Sequence, residues 1–437
     1  MTPLRVLVVG AGFGGLSAVR ALRAAPVEVI LVDEHNYHLF QPLLYQVATA
    51  LLDPSEIAHP VRALLRRQAN CQVRLGRVDD IDLDVRRVRT DQGDIAYDRL
   101  IVAAGSVNES LGKPGVERHA FMLKSLGDAL TLRNHLLATV ERATWATDAA
   151  ERRRLLTIAV VGAGPTGVET AGAISELVRL VLRRDFTRLD LDELRIVLLE
   201  AAQSVLLSFD APLQRAAIDT LRRKRVELRF GAAVDDVLAD GLRLHGGELL
   251  EAATVIWTVG VRGAPAGGLL ADRRVRHGRI PVTAEMRLAD HPEVFVIGDL
   301  AECIEDGAPL PMLAPVAIQQ GRWVARRIAA ELSGDAPAPF RYHDKGTMAT
   351  IGRNAAVAQI WGLRLSGFPG WALWLGVHIA QIVSFRSRAV TLLNWGRDYF
   401  FYDRPVRLIA APSTTPPRPD GEAGADSADA VAEPQGP

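Results

Sequence analysis

The sequence predicts an α/β protein in which two parallel-sheet nucleotide-binding units, one interrupting the other, precede a C-terminal helical segment. Three observations predict it. The stretch RVLVVGAGFGGLSAVRAL (5–22) runs from an apolar strand through a G-x-G-x-x-G turn into a helix. The stretch IAVVGAGPTGVE (158–169) repeats that design 152 residues later, Gly162, Gly164 and Gly167 matching Gly10, Gly12 and Gly15. A third buried-strand pattern, VFVIGDLAEC (294–303), follows the second unit and leads into another helix.

Each unit then takes the same course. After the turn and its helix comes an apolar strand ending in an acid, VEVILVD at Asp33 and LRIVLLE at Glu200. Short alternating strands with turn signals follow, DQGD at 91–94 and HGG at 245–247. A buried strand and a glycine turn close each unit, RLIVAAGS around Gly105 and TVIWTVGV around Gly260. Glu200 lies 33 residues beyond Gly167 against 18 from Gly15 to Asp33, so the second helix is expected to be about four turns longer. In such a turn the first glycine permits the bend and the second lets a pyrophosphate approach the backbone. The third lets helix pack on strand, with the phosphates facing the helix N-terminus. Asp33 and Glu200 stand where ribose hydroxyls can donate to a carboxylate. Two turns imply two dinucleotides, one a tightly held flavin and the other a nicotinamide.

The third segment separates them. With Gly298-Asp299 ending its strand, the chain resembles the flavoproteins with two dinucleotide-binding domains, in which that Asp binds the ribityl and phosphate region of FAD. The resemblance implies two Rossmann-like domains, the FAD domain interrupted by the NAD domain. It places the first part of the FAD domain at 1–115, the NAD(H) domain at 116–275 and the second part of the FAD domain at 276–340. A C-terminal quinone- and membrane-associating module takes 341–410 and a disordered acidic tail 411–437. Pro315 suits the first turn of the helix after Asp299, where its missing N–H costs nothing. The N-terminus of that helix would favour negative charge on a reduced flavin. A purely structural Gly-Asp turn stays open as the alternative.

Three further stretches sharpen the resemblance: NYHLFQPLLYQVA (36–48), DKGTMATIGRNAAVA (344–358) and GFPGWALWLGVHI (367–379). From about residue 4 to about 409 the chain resembles the type II NADH:quinone oxidoreductases, single-subunit respiratory enzymes that do not pump protons. The resemblance implies that Gly10, Ala11, Gly12, Phe13, Gly14, Gly15, Asp33, Glu34 and Asp299 contact FAD. It sets the Val78 backbone at the adenine and the Ala104-Gly105 turn near the cofactor. Gly162, Gly164, Gly167, Glu200 and Gly260 would serve NADH. Glu169 matches the family's acid near nicotinamide and flavin. It is the catalytic candidate, and as a helix N-terminal acid it also suits the helix dipole. Ala314, Gln319 and Gln320 match the motif at the quinone pocket, with Pro315 standing where the family usually has Gln. Lys345 matches a basic position near that pocket and reads equally as a surface ion pair. The implied reaction passes a hydride from NADH to FAD and two electrons on to a membrane quinone.

Composition excludes other classes. The 51 basic and 51 acidic residues balance, so no overall field attracts nucleic acid. Two distant cysteines, Cys71 and Cys303, offer neither a dithiol centre nor a Cys-based metal site, and no metal is expected. Disulfide and sulfide:quinone reductases, which need paired or several cysteines, are thereby disfavoured. The N-terminus enters its first strand at once, so no signal peptide is expected. NADH is preferred to NADPH because Glu200 would repel a 2′-phosphate and EAAQS supplies no adjacent Arg. Two alternatives remain: a soluble NADH-dependent flavoprotein reductase with a protein acceptor, and an NADH-sensing flavoprotein.

The segment 366–385, SGFPGWALWLGVHIAQIVSF, carries no Asp, Glu, Lys or Arg. Pro369 and Gly370 are expected to break it, leaving a helix of about 15 residues, ~22 Å long, short of a ~30 Å hydrocarbon core. Trp371 and Trp374 suit a membrane interface, and Arg386, Arg388 and Arg397 suit anionic headgroups. The expected partner is the membrane surface, through 366–400, on the cytoplasmic face; a core or homodimer helix is the other reading. His378 is expected to be a satisfied histidine rather than a ligand.

Overall fold

The structure is a computed structural model and describes residues 3–265, 268–335, 338–381, 392–393, 395–396 and 407–409. The first unit begins with β1 (Leu4–Val9), α1 (Phe13–Ala21) and β2 (Val27–Asp33), followed by a short helix α2 (Leu44–Ala48) and β3 (Cys71–Leu75). Strands β4 (Arg99–Val102) and β5 (Ser106–Asn108) end this pass, and α3 (Leu126–Trp145) carries the chain onward. The second unit consists of β6 (Thr157–Val161), α4 (Pro165–Glu176), β7 (Arg195–Glu200), α5 (Ala211–Arg223), β8 (Val226–Phe230) and β9 (Thr254–Trp257). The chain returns through β10 (Val261–Gly263) to β11 (Val294–Val296) and α6 (Ala314–Ser333). Strands β12 (Thr347–Thr350), β13 (Ala356–Ile360) and β14 (Leu363–Ser366) precede α7 (Gly367–Gln381).

The first sheet is parallel in the order β11-β4-β1-β2-β3, so the returning strand completes it at the β4 edge. The second is parallel in the order β8-β7-β6-β9. Both are buried on both faces, which explains their continuous apolar runs. Val6 and Val8 join the core under α1 and α6, whereas Leu7 and Val9 join the opposite one. Ile158 and Val160 divide from Ala159 and Val161 in the same way. The units are tied by an antiparallel ribbon of β5 and β10, Val107 opposite Arg262.

Two close approaches fix the helix layers. A Cβ on Gly321 of α6 would lie 2.2 Å from the Gly14 carbonyl oxygen of α1, so only glycine permits that crossing. A Cβ on Gly172 of α4 would lie 2.7 Å from the Ile351 carbonyl oxygen, which holds the C-terminal sheet against the second unit. The expected extension of the second helix is present: α4 continues through a wider π-helical turn at Leu177–Leu182 and one more turn, Arg183–Asp185.

The C-terminal module departs from expectation in two ways. Pro369 and Gly370 do not break the apolar segment; α7 starts at Gly367 and holds Pro369 in its first turn, where no i−4 partner is lost. Trp374 is not at an interface: it is 2% exposed and belongs to the core shared with the second unit. Arg386, Arg388, Arg397 and the tail 411–437 lie outside the described residues.

Candidate functional site

The two glycine turns are near-copies at atomic level. Gly10 and Gly162 have φ of +98° and +97°, open to glycine and strained for other residues. A Cβ on Gly15 would sit 1.8 Å from the Gly10 carbonyl oxygen, and one on Gly167 1.8 Å from that of Gly162. By contrast, a Cβ on Gly12 or Gly164 would meet nothing within 4 Å. Each turn thus closes on itself through its first and third glycines and keeps open space at its second. That is the shape a pyrophosphate requires ahead of a helix N-terminus.

The terminal acids also match. Asp33 Oδ2 accepts from the Ala11 N–H at 2.6 Å and Oδ1 from the His35 N–H at 2.7 Å. Glu200 Oε2 accepts from the Ala163 N–H at 2.8 Å and Oε1 from the Ala202 N–H at 2.9 Å. Each carboxylate therefore braces the middle of its own turn while lying at the strand end where a ribose would be read. Burial raises the Asp33 pKa, and the Ala11 and His35 N–H groups oppose that shift. His38 Nδ1 meets the Ala11 carbonyl oxygen at 2.8 Å, and its Nε2 is buried with no hydrogen-bond partner beside the first turn. Phe13 stands edge-on to its ring. The open space at Gly12 and this orphaned nitrogen fit a bound dinucleotide at the first turn.

Asp299 lies just past β11, which pairs in parallel with β4, itself parallel to β1, so that it comes to the edge that carries the first turn. Ser106 Oγ donates to Asp299 Oδ2 at 2.5 Å, and Lys124 Nζ donates to Ser106 Oγ at 2.8 Å. Gly298 has φ +72°, and its N–H donates to Gln320 Oε1 at 2.7 Å. Gln320 thus braces the Gly-Asp turn from α6. Gln319 is engaged differently: its amide donates to the His343 carbonyl and accepts from the His343 N–H, both at 3.0 Å. Ala314 and Pro315 open α6 as expected, and Lys345 is exposed on the segment entering the C-terminal sheet. Glu34 is exposed beside Asp33, pairing with His35. Val78 begins a small sheet (Val78–Asp82, Arg87–Thr90, Gly93–Ala96). Gly105 and Gly260, with φ +74° and +76°, mark where the chain leaves the first sheet and the second. Ala104 packs at the edge of the core on the face of the first sheet opposite α1 and α6.

Glu169 stands in the first turns of α4, half-buried, with Oε1 accepting from the Thr350 N–H at 3.2 Å. Burial pushes its carboxyl up to about 8, the Thr350 N–H opposing. Thr350 lines a cleft of about 710 Å³, measured with its open mouth, that also takes in Tyr45, Gln46, Leu51, Ala173, Glu176, Leu180, Val181, Gly352, Arg353, Trp371, Trp374, Leu375 and Trp395. Its walls come from α2, α4 with the π-helical turn, the loop after β12, and α7. Gln46 Nε2 donates to the Tyr45 hydroxyl at 2.9 Å while Trp395 Nε1 donates to Gln46 Oε1 at 3.0 Å. Glu176 Oε1 accepts from Lys224 Nζ at 2.6 Å and from the Arg353 N–H at 2.5 Å. His378 stacks on Trp374 with ring centroids 4.2 Å apart, and its Nδ1 lies 2.8 Å from the Trp374 carbonyl oxygen. Burial lowers its pKa to about 4, so it stays neutral.

The structure therefore gathers Gly10–Gly15, Asp33 and Asp299 at the end of the first sheet, Gly162–Gly167 and Glu200 at the end of the second, and Glu169 against the cleft-lining Thr350. Gln319, Gln320 and Lys345 are not among the cleft-lining residues. Sequence reasoning missed Ser106, Lys124, Tyr45, Gln46 and Glu176. The stretch containing Tyr45 and Gln46 was a signal, but nothing in it said which side chains would face a cavity. Cys71 and Cys303 are free, and burial lifts the Cys71 thiol to about 11, outside the range of a reactive thiolate. Among the described residues no group of three or more His, Cys, Asp and Glu is arranged to hold a metal.

Twin turns on two parallel sheets, with a Gly-Asp turn returning to the first, define a flavoprotein with two dinucleotide-binding domains. A family model described as pyridine nucleotide-disulphide oxidoreductase matches residues 4–321, and one described as the NDH2 C-terminal domain matches 344–402. A type II NADH:quinone oxidoreductase of Mycobacterium tuberculosis is 41% identical over 406 residues, covering 90% of this chain and 87% of that relative. The type II NADH:quinone oxidoreductase of Staphylococcus aureus is 30% identical over 374 residues, covering 83% and 91%. The chain belongs to the type II NADH:quinone oxidoreductase family. Its fold also matches the NDH2 of Plasmodium falciparum, solved in complex with NADH, with a TM-score of 0.84 at 17% identity, covering 92% of this chain and 99% of that one.

Proposed function

We infer that this chain oxidises NADH and reduces a membrane quinone through FAD, without translocating protons. It is an FAD-dependent NADH:quinone oxidoreductase. Bound FAD supplies a two-electron relay between the hydride donor and the quinone. The observation that carries the reading is the pair of self-closed glycine turns, each open only at its second glycine.

The first turn, Asp33 and Asp299 would hold FAD. The second turn would seat the pyrophosphate of NADH, and Glu200 would accept from its ribose and repel a 2′-phosphate. Held by these two turns, the donor and acceptor rings would react within one complex rather than by collision. The apolar walls of the cleft suit a quinone and its tail, and Gln46, Thr350, Glu176 and Arg353 supply polar contacts for the head. Glu169 holds a proton on its carboxyl below about pH 8 and can give it up at neutral pH, beside the Thr350 wall. Gln319 and Gln320 act by position: one anchors the C-terminal module at His343, the other sets Asp299. The division into 1–115 with 276–340, 116–275 and 341–410 is our proposal, supported by the two separate sheets and the ribbon joining them.

We place the protein at the cytoplasmic face of the membrane, with residues 366–400 as its contact. Among the described residues no helix is long and apolar enough to cross a membrane. Phe368 (56% exposed) and Leu393 (71%) support a surface contact from this module. The reaction is tested by following NADH loss and quinol formation with the purified protein and a soluble ubiquinone or menaquinone analogue. One quinol per NADH is expected. NADH-reducible flavin that quinone fails to reoxidise would overturn the reading.

A further inference from the structure

The chain uses lysine at only four of its 51 basic positions, and Lys124 is one of two whose ammonium is withdrawn into an ion-paired network. Its backbone is held from both sides. The N–H donates to Asp128 Oδ2 at 2.9 Å, beside the capping box that starts α3, and the carbonyl accepts from Gln41 Nε2 at 2.9 Å. The side chain is 22% exposed; its ammonium donates to Ser106 Oγ and stands 3.8 Å from Asp299 Oδ2, whose own side chain is 19% exposed. Ser106 in turn donates to that same Oδ2. Four segments meet here: the turn before α2, β5, the start of α3 and the Gly298-Asp299 turn. The ammonium is thus fixed to the carboxylate that faces the FAD site, on a backbone that cannot easily swing away.

A cation so held has two physical consequences. It holds the Asp299 side chain in place together with Ser106, which orients an acceptor for the cofactor's hydroxyls. It also sets a half-buried positive charge beside the Gly298-Asp299 turn, from which it would favour a bound flavin that gains negative charge on reduction. Burial lowers the Lys124 pKa below the ordinary lysine value, and Asp299 opposes that shift.

We propose that Lys124, linked through Ser106 to Asp299, is a positioning residue that sets the reduction potential of the bound flavin. The proposal rests on the reading that FAD lies at Asp299, and the experiment separates the two. Lys124→Met removes the charge at similar length, and Lys124→Arg restores it. Each variant is purified, its FAD content measured, and the midpoint potential of its flavin read by equilibration with a reference dye. Lys124→Met is expected to retain FAD while its oxidised–reduced equilibrium moves about tenfold toward oxidised flavin, about 30 mV more negative for a two-electron couple. Lys124→Arg should recover most of that shift. An unchanged midpoint in FAD-loaded Lys124→Met would overturn the proposal and leave the FAD site standing. Wild-type protein unable to take up FAD would instead overturn the reading beneath it. If Lys124→Met does not fold, Lys124→Gln can still hydrogen bond to Ser106; it should show the same negative shift, and an unchanged midpoint there is equally decisive.

Discussion

The two NAD-side glycines Gly164 and Gly167 sit three residues apart and should fail in opposite ways when given a methyl group. At Gly167 the new Cβ would lie 1.8 Å from the Gly162 carbonyl oxygen and 2.8 Å from Thr258 Oγ1. Backbone faces backbone, so the turn must open, and overpacking of this kind costs about 1–3 kcal/mol. At Gly164, φ is −69° and ψ −176°, extended backbone that alanine adopts freely, and nothing lies within 4 Å of the methyl. That substitution should leave the fold intact or stabilise it by about 0.4–1 kcal/mol through the unfolded chain. Its methyl would nevertheless occupy the space through which a pyrophosphate approaches the N–H groups. A loss of about 1.4–2.8 kcal/mol in binding weakens NADH by about ten- to a hundredfold. The assay is thermal unfolding and NADH titration on FAD-loaded Gly164→Ala and Gly167→Ala, with FAD content as control. Gly164→Ala should melt like wild type and bind NADH poorly; Gly167→Ala should lose both stability and binding. Wild-type NADH affinity in Gly164→Ala, or wild-type stability in Gly167→Ala, would refute the assignment of the second turn.

Further outcomes follow from the other residues. Because burial raises the Glu169 pKa from an ordinary 4.5 to about 8, its proton is present below that pH, and quinone turnover that uses it should fall as pH rises through about 8. Glu169→Gln should be slower and lack that limb; the stability linked to the raised pKa should likewise be full below about pH 4.5 and be lost by about pH 8 in wild type only, and matching profiles would return Glu169 to a helix-terminal acid. Glu200→Ser with Ala201→Arg should move preference from NADH toward NADPH, whereas equal wild-type activity with both coenzymes would contradict the role of Glu200. Phe368→Glu with Leu393→Glu should shift the protein off anionic vesicles and depress turnover with long-chain more than with short-chain quinone; full vesicle binding would argue for another contact.

Much of this was legible in the chain itself. The repeated strand–turn–helix with its terminal acid is a local pattern, and local patterns survive folding because the glycines answer to their own turn. What escaped were contacts between distant segments. Gln319 and Gln320 look alike in sequence, yet one meets His343 and the other Gly298, and only the packing of α6 decides that. The expectation of an interfacial Trp374 fails because α7 is apolar nearly all round, so periodicity carries no direction. The cleft draws on segments more than 300 residues apart, and Lys124 gains meaning only when Ser106 and Asp299 arrive beside it.

Under the proposed function, quinone would meet the flavin through the cleft bounded by α2, α4 and α7, apart from the NADH turn. Stopped-flow measurement of the two half-reactions in Leu51→Trp, which narrows that cleft with a larger apolar side chain, tests it most directly. Flavin reduction by NADH should keep its wild-type rate, while reoxidation by quinone should slow at least about tenfold, or ~1.4 kcal/mol in the barrier. Reoxidation at the wild-type rate in a protein of normal stability and FAD content would contradict the claim.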